Sequence, residues 1–184
     1  MEKGVVALYA SLYLSSGVCL NDRSSDRPAE KTDAAGYALS CEEHQADAVL
    51  VYDLSTTDEE HELSIGALRR MTAAVDLPIL GGGNIPRLED VKKLLYAGCR
   101  AVFLNYAKKS NRELTREASM RFGREKLMAW LPQGTVPEPE EAELLSGILT
   151  DAATAVLAAE AFPELSVIVT NHSCTGDGRG DNRS

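Results

Sequence analysis

Short apolar runs alternate along this chain with stretches whose apolar residues recur every three or four positions. That rhythm predicts an α/β fold with parallel strands. The first run, "VVALYASLYL" at 5–14, is rich in strand formers and stops at Ser15, Ser16 and Gly17. A polar loop over 21–32 leads to a helix expected over 33–44. "AVLVYDL" at 48–54 reads as a strand buried on both faces and ending in an acid, Asp53. A helix over 59–75 follows, with Leu63, Ala67, Met71 and Ala74 as its apolar stripe. "LPIL" is the third strand, and Gly81, Gly82 and Gly83 come directly after it. Helix 86–97 takes Pro86 as its first residue and Gly98 as its stop. "AVFLN" (101–105), a helix over 111–122 and "KLMAWL" (126–131) complete the regular part.

Beyond Pro132 the rhythm changes. The stretch "PQGTVPEPEEAE" is dominated by proline and glutamate and predicts a linker over 132–139. A long helix over 140–161 and a sixth strand, "LSVIVTN" at 165–171, are expected next, completing or extending the domain formed by residues 1–131. Residues 172–184 form a polar tail, expected to be disordered. The Arg-Gly-Asp tripeptide at 179–181 is too short a match to carry a function.

Glycine inside regular structure costs about 0.5–1 kcal/mol relative to alanine, so three in a row need a reason. A strand that runs through glycines into a helix N-terminus offers bare backbone N–H groups and the positive end of a helix dipole, which together suit a phosphate. Asp53, the glycines and Asn105 lie at the ends of the second, third and fourth strands. In a (β/α) barrel those ends open on one face, where active sites sit.

Composition narrows the partners. With 184 residues, 44% of them hydrophobic, the chain can bury one sizeable core. A net charge of −9 opposes both nucleic acid and anionic membranes, so neither is expected as a partner. No apolar run approaches the ~18 residues of a membrane span, and the first twenty residues lack a signal-peptide pattern, which predicts a cytoplasmic protein. Cys19, Cys41, Cys99 and Cys174 have no paired spacing and read as buried or free thiols. His44, His61 and His172 fall at a helix end, a helix start and a strand end. They read as surface residues, and neither metal nor cofactor is expected. Asp58, Glu59, Glu60 and Glu62 read as a solvated face favoured by the helix dipole.

The order "VYDLSTT…LPILGGGNIPRLEDVKKLLYAGCRAVFLN" resembles the histidine-biosynthesis barrels, above all the cyclase subunit of imidazole glycerol-phosphate synthase and its isomerase relative. The resemblance covers roughly residues 47–131 and implies a (β/α) TIM-barrel-like fold, here partial, with five to six strands. Carried over position by position, it implies phosphate binding by Gly82, Gly83, Asn84 and Asn105, with Asp53 as the retained second-strand acid and the one catalytic candidate. Tyr106 stands where the family has threonine and adds a ring that would obstruct the site. The family's two catalytic aspartates end strands one and five, and the match places Ala10 and Pro132 there.

Ring-forming chemistry needs a general acid and a general base, and both are missing from this match. The favoured expectation is therefore a domain that binds a phosphorylated small molecule or acts as a scaffold, without cyclase activity. It would associate with itself or with histidine-biosynthesis domains, as the N-terminal part of a phosphoribosyl-AMP cyclohydrolase/phosphoribosyl-ATP pyrophosphatase polypeptide. The alternative is an active cyclase-type lyase or sugar-phosphate isomerase that uses Asp53.

Overall fold

The computed structural model describes residues 7–20 and 33–170. Val5, Val6, the 21–32 loop, Cys174, His172 and the tail with its Arg-Gly-Asp tripeptide lie outside them.

Among the described residues eight strands form one curled sheet, seven of them parallel, as expected of a partial (β/α) barrel. The elements are β1 (Tyr9–Ser15), β2 (Val18–Leu20), α1 (Ala34–Glu43), β3 (Ala48–Asp53), α2 (Asp58–Ala74), β4 (Ile79–Gly83) and α3 (Leu88–Tyr96). They continue with β5 (Ala101–Asn105), α4 (Ser110–Phe122), β6 (Leu127–Trp130), α5 (Pro139–Ala142), β7 (Gly147–Thr150), α6 (Ala152–Ala161) and β8 (Ser166–Val169). The spatial order is β2-β1-β3-β4-β5-β6-β7-β8, with β2 returning antiparallel along the outer edge of β1 through Ser16 and Gly17.

Two strands were absent from the sequence reading. β2 is a three-residue return after the first run. β7 lies inside what reads as a long helix over 140–161. That helix does not form: Gly147 enters the sheet, and Asp151 caps a new helix by accepting from the N–H groups of Ala153 and Thr154 at 3.0 and 3.1 Å. The sheet therefore runs on past the linker as one layer.

Two smaller differences concern α3 and the glycines. Arg87, not Pro86, immediately precedes α3, whereas Gly98 does terminate it with φ of +101°. The glycines are the last residues of β4, not a turn after it.

Side chains alternate across the sheet. Val49, Val51, Val102 and Leu104 join the helices in the outer core layer. Leu50, Tyr52, Phe103, Met128 and Trp130 point to the concave side. There Tyr52 stacks on Tyr13 with ring centroids 5.2 Å apart and meets Phe103 and Trp130 edge-on at 5.0 and 5.2 Å. This aromatic plug fills the middle of the partial barrel. It also accounts for one of the glycines. Gly82 is paired between Tyr52 and Phe103, and a Cβ placed on it would stand 2.2 Å from Phe103 Cδ2.

Candidate functional site

At the C-terminal ends of β3 and β4 an open cleft of about 280 Å³ is lined by Ser55, Thr56, Thr57, Asp58, His61, Asn84, Pro86, Arg87, Asp90 and Lys108. Its floor is built from β3. Tyr52 points inward, so the next residue, Asp53, sends its carboxylate toward the helices, where it is 1% exposed. Asp53 Oδ1 accepts the Ser55 N–H at 3.0 Å, which fixes the turn into α2. Oδ2 accepts a short hydrogen bond from Nδ1 of His61.

Thr57 begins α2 in a reciprocal capping box with Glu60, whose side chain also holds Thr56. One turn in, His61 falls on the buried face with Ser64, Ile65, Leu68 and Met71. It is 6% exposed, which corrects its reading as a surface residue. The acidic cluster around it is exposed at Asp58, Glu59 and Glu62, as expected.

On the opposite wall, Arg87 grips Asp90 through Nε to Oδ2 at 3.0 Å and Nη2 to Oδ1 at 3.1 Å, and reaches Asp58 Oδ1 at 2.6 Å. Asp90 is buried, and its Oδ1 stands 3.7 Å from His61 Nε2. That separation exceeds a hydrogen bond, and Nε2 makes none. Burial alone would lower the His61 pKa. The hydrogen bond and charge of Asp53, with the charge of Asp90, outweigh it and raise the pKa above 6.5. The arrangement is thus an imidazole held between two carboxylates that favour its protonated form, one bonded and one pinned at a distance by an arginine.

The residues expected to bind phosphate divide into two groups. Asn84 lines the cleft, its backbone N–H donating to Asp53 O at 2.9 Å and its amide to Ser55 O at 3.1 Å. Gly82 and Gly83 lie in β4, and Gly83 holds φ of +112° where a Cβ would stand 2.2 Å from Asp53 O. Asn105 is buried at the end of β5, with Oδ1 accepting from Ala107 N–H and its carbonyl accepting from Asn111 Nδ2, both at 2.9 Å. The same carbonyl accepts the Lys108 N–H at 3.2 Å, so Asn105 shapes the turn that brings Lys108 to the cleft.

Tyr106 does not obstruct the cleft. It is buried against α4 and donates to Thr115 Oγ1 at 3.0 Å, and burial pushes its pKa up to about 12.

Of the two proton-transfer positions, the one on strand one lies elsewhere than the match placed it. Ala10 pairs with Val49 near the start of β1, and the β1 residue beside Asp53 is Leu14. Pro132 follows β6, as expected. Neither strand end offers an acid: β1 closes on Leu14 and Ser15, and β6 on Trp130, Leu131 and Pro132.

Sequence reasoning missed His61, Arg87, Asp90 and Lys108. Among the described residues no group of three or more His, Cys, Asp or Glu side chains is placed to hold a metal. Cys19, Cys41 and Cys99 are free and buried, and no described helix is long and apolar enough to cross a membrane.

Fold and cleft together define a partial (β/α) barrel with a polar, acid- and histidine-bearing pocket at its strand ends. The profile of the family described as "Histidine biosynthesis protein" matches residues 7–162, and the chain belongs to that family. Over 88 residues it is 33% identical to imidazole glycerol phosphate synthase subunit HisF of Staphylococcus aureus, in strains JH9 and Newman alike. That stretch is 48% of this chain and spans 35% of the length of those relatives.

Proposed function

We propose that this chain is a histidine-biosynthesis-family domain that binds a phosphate-bearing small molecule, or acts as a scaffold, and does not perform the cyclase reaction. The observation that carries this reading is the absence of an acid at the ends of β1 and β6, where the family's proton transfer would take place. General acid and base catalysis each contribute about 10²–10⁴-fold in rate, so losing both removes the chemistry and leaves a binding site. The aromatic plug of Tyr13, Tyr52, Phe103 and Trp130 supports it further by occupying the concave centre.

Phosphate binding is supported by Lys108, Thr57 and Asn84 around one cleft, next to the Gly82–Asn84 segment and the Asn105 turn. An active lyase or isomerase would need Asp53 as its base. Both Asp53 oxygens are already engaged, by Ser55 and His61.

Supplied with ammonia and the family's aminoimidazole-precursor substrate, the purified chain is expected to show no cyclase turnover above background. Turnover that disappears in Asp53→Asn would overturn the reading. Phosphate is expected to raise the melting temperature, because a ligand at about 100 times its Kd adds about 2.7 kcal/mol to the folded state. No rise at any phosphate concentration would reduce the domain to a scaffold.

The scaffold part of the reading makes the chain the N-terminal part of a cyclohydrolase/pyrophosphatase polypeptide, which the reading frame after Ser184 tests. It also includes self-association. Among the described residues β8 pairs only with β7, and Val169 on it is 53% exposed. Open strand edges recruit further strands. Sedimentation at rising concentration is expected to show a dimer or larger species, weakened by Val169→Lys. A monomer at every concentration would remove this element of the proposal.

A further inference from the structure

A buried polar nitrogen without a hydrogen bond costs about 1–3 kcal/mol and calls for a partner. His61 Nε2 is such an atom, on a side chain that lines the cleft and whose other nitrogen is fixed by Asp53. Asp90 is the nearest alternative partner. Arg87 holds both of its oxygens and keeps Oδ1 at 3.7 Å. The imidazole is therefore oriented from behind and left with one N–H to donate.

Lys108, for which no ion pair is found among the described residues, and Thr57 line the same cleft, whereas the Thr56 hydroxyl is already donated to Glu60. We propose that the Asp53–His61 pair is a proton-donating anchor for a phosphoryl dianion, with His61 Nε2 donating to one oxygen and Lys108 facing the others. This rests on the phosphate reading above and names the residue that carries it. The ligand is either the free ion or the phosphate end of a monoester, since both present the same oxygens.

The charges that face His61 are known from every side: Asp53 on β3, Asp90 and Lys93 on α3, Arg87 before α3, and Asp58 and Glu62 on α2 itself. Asp53 and Asp90 favour the imidazolium, whereas Lys93 opposes it. Binding that needs the imidazolium weakens once pH passes the point where the free site loses its proton. The apparent affinity then falls by about tenfold per pH unit.

Sulfate is the first probe, because it stays a dianion across the range and its own titration cannot mimic that slope. Calorimetric titration of the full chain from about pH 5.5 upward through the pH at which the ¹⁵N shifts of His61 show it losing its proton is expected to show the decline. His61→Gln keeps a neutral donor but is expected to weaken sulfate at least about tenfold at the acid end and to abolish the slope. Ribose 5-phosphate, run beside sulfate, separates the sources: tighter binding of the ester marks a monoester site, and equal binding marks a free-ion site.

Because His61→Gln alters a buried pair, the wild-type chain supplies a second readout. The ¹⁵N resonance of His61 Nε2 is expected to shift on sulfate addition. Wild-type affinity retained in His61→Gln, a pH-independent wild-type titration or an unmoved Nε2 resonance would each overturn the anchor while leaving phosphate binding intact. Failure of both anions to bind the wild-type chain would overturn the anchor and the phosphate reading together.

Discussion

Asp53→Ala is expected to destabilise the chain by about 3–5 kcal/mol, the usual cost of removing one member of a buried ion pair. The carboxylate is 1% exposed and performs two tasks: it accepts the Ser55 N–H that turns the chain into α2, and it bonds His61 Nδ1. Alanine leaves both donors buried without their acceptor. Urea unfolding should record the loss as a lower midpoint at unchanged slope.

The pH profile provides the more specific signature. The folded state raises the His61 pKa, so it binds that proton more tightly than the unfolded chain does. The resulting stability is fully present below the ordinary value of 6.5 and is lost as pH rises through the higher folded value. Wild-type stability should therefore decline as pH climbs above 6.5, to the extent that His61 governs it. In Asp53→Ala the main cause of the raised pKa is gone while burial remains, so the decline should vanish or change sign. A loss below about 1 kcal/mol with the wild-type slope retained would show that the pair contributes nothing to folding.

Much of the sheet is readable in sequence because strands buried on both faces are nearly continuous apolar runs. "AVLVYD" and "AVFLN" are such runs, and they emerge as β3 and β5. β7 was hidden because its four residues, Gly147 to Thr150, sit between segments that keep helical spacing on either side. The available signals were Gly147, which breaks a helix, and Asp151 three residues before Thr154, which starts one.

The site was legible only in part. Asp53 and Asn84 stand out because a strand-end acid and a residue abutting glycines have few structural reasons to be there. His61 was obscured by a shift in the apparent stripe of α2. Leu63 suggests one face, but it is exposed, and the buried face runs through Ile65, Leu68 and Met71. Taken from Ile65, the stripe includes position 61 one turn earlier, so a histidine there belongs inside. Arg87 and Asp90 at a helix start resemble ordinary dipole complementation, and only the tertiary fold shows that they close on His61. Lys108 has no signature beyond its distance from Asn105.

Gly82→Ala is expected to cost about 3 kcal/mol or more through overpacking. The new Cβ would stand 2.2 and 2.3 Å from Phe103 Cδ2 and Cε2, and 2.3 Å from the Phe103 carbonyl oxygen. The ring could turn aside only by disturbing its contacts with Tyr52 and Trp130. The carbonyl cannot yield so easily, because β5 is paired on both sides, to β4 and β6. Phe103→Leu in the Gly82→Ala background should therefore recover only part of the loss. Gly66→Ala supplies the control, since position 66 lies in α2 and a Cβ there meets nothing closer than Arg70 Nη1 at 3.8 Å. It should stabilise by about 0.4–1 kcal/mol, through helix propensity and a less flexible unfolded chain. Gly83→Val is a poor probe of phosphate binding, because φ of +112° and the nearby Asp53 carbonyl would disrupt the end of β4 whether or not an anion binds there. Gly82→Ala separates the two explanations for the glycines. Lost stability with an unchanged phosphate response in the folded fraction assigns Gly82 to the aromatic plug, whereas wild-type stability with a lost response would assign it to close approach by the ligand.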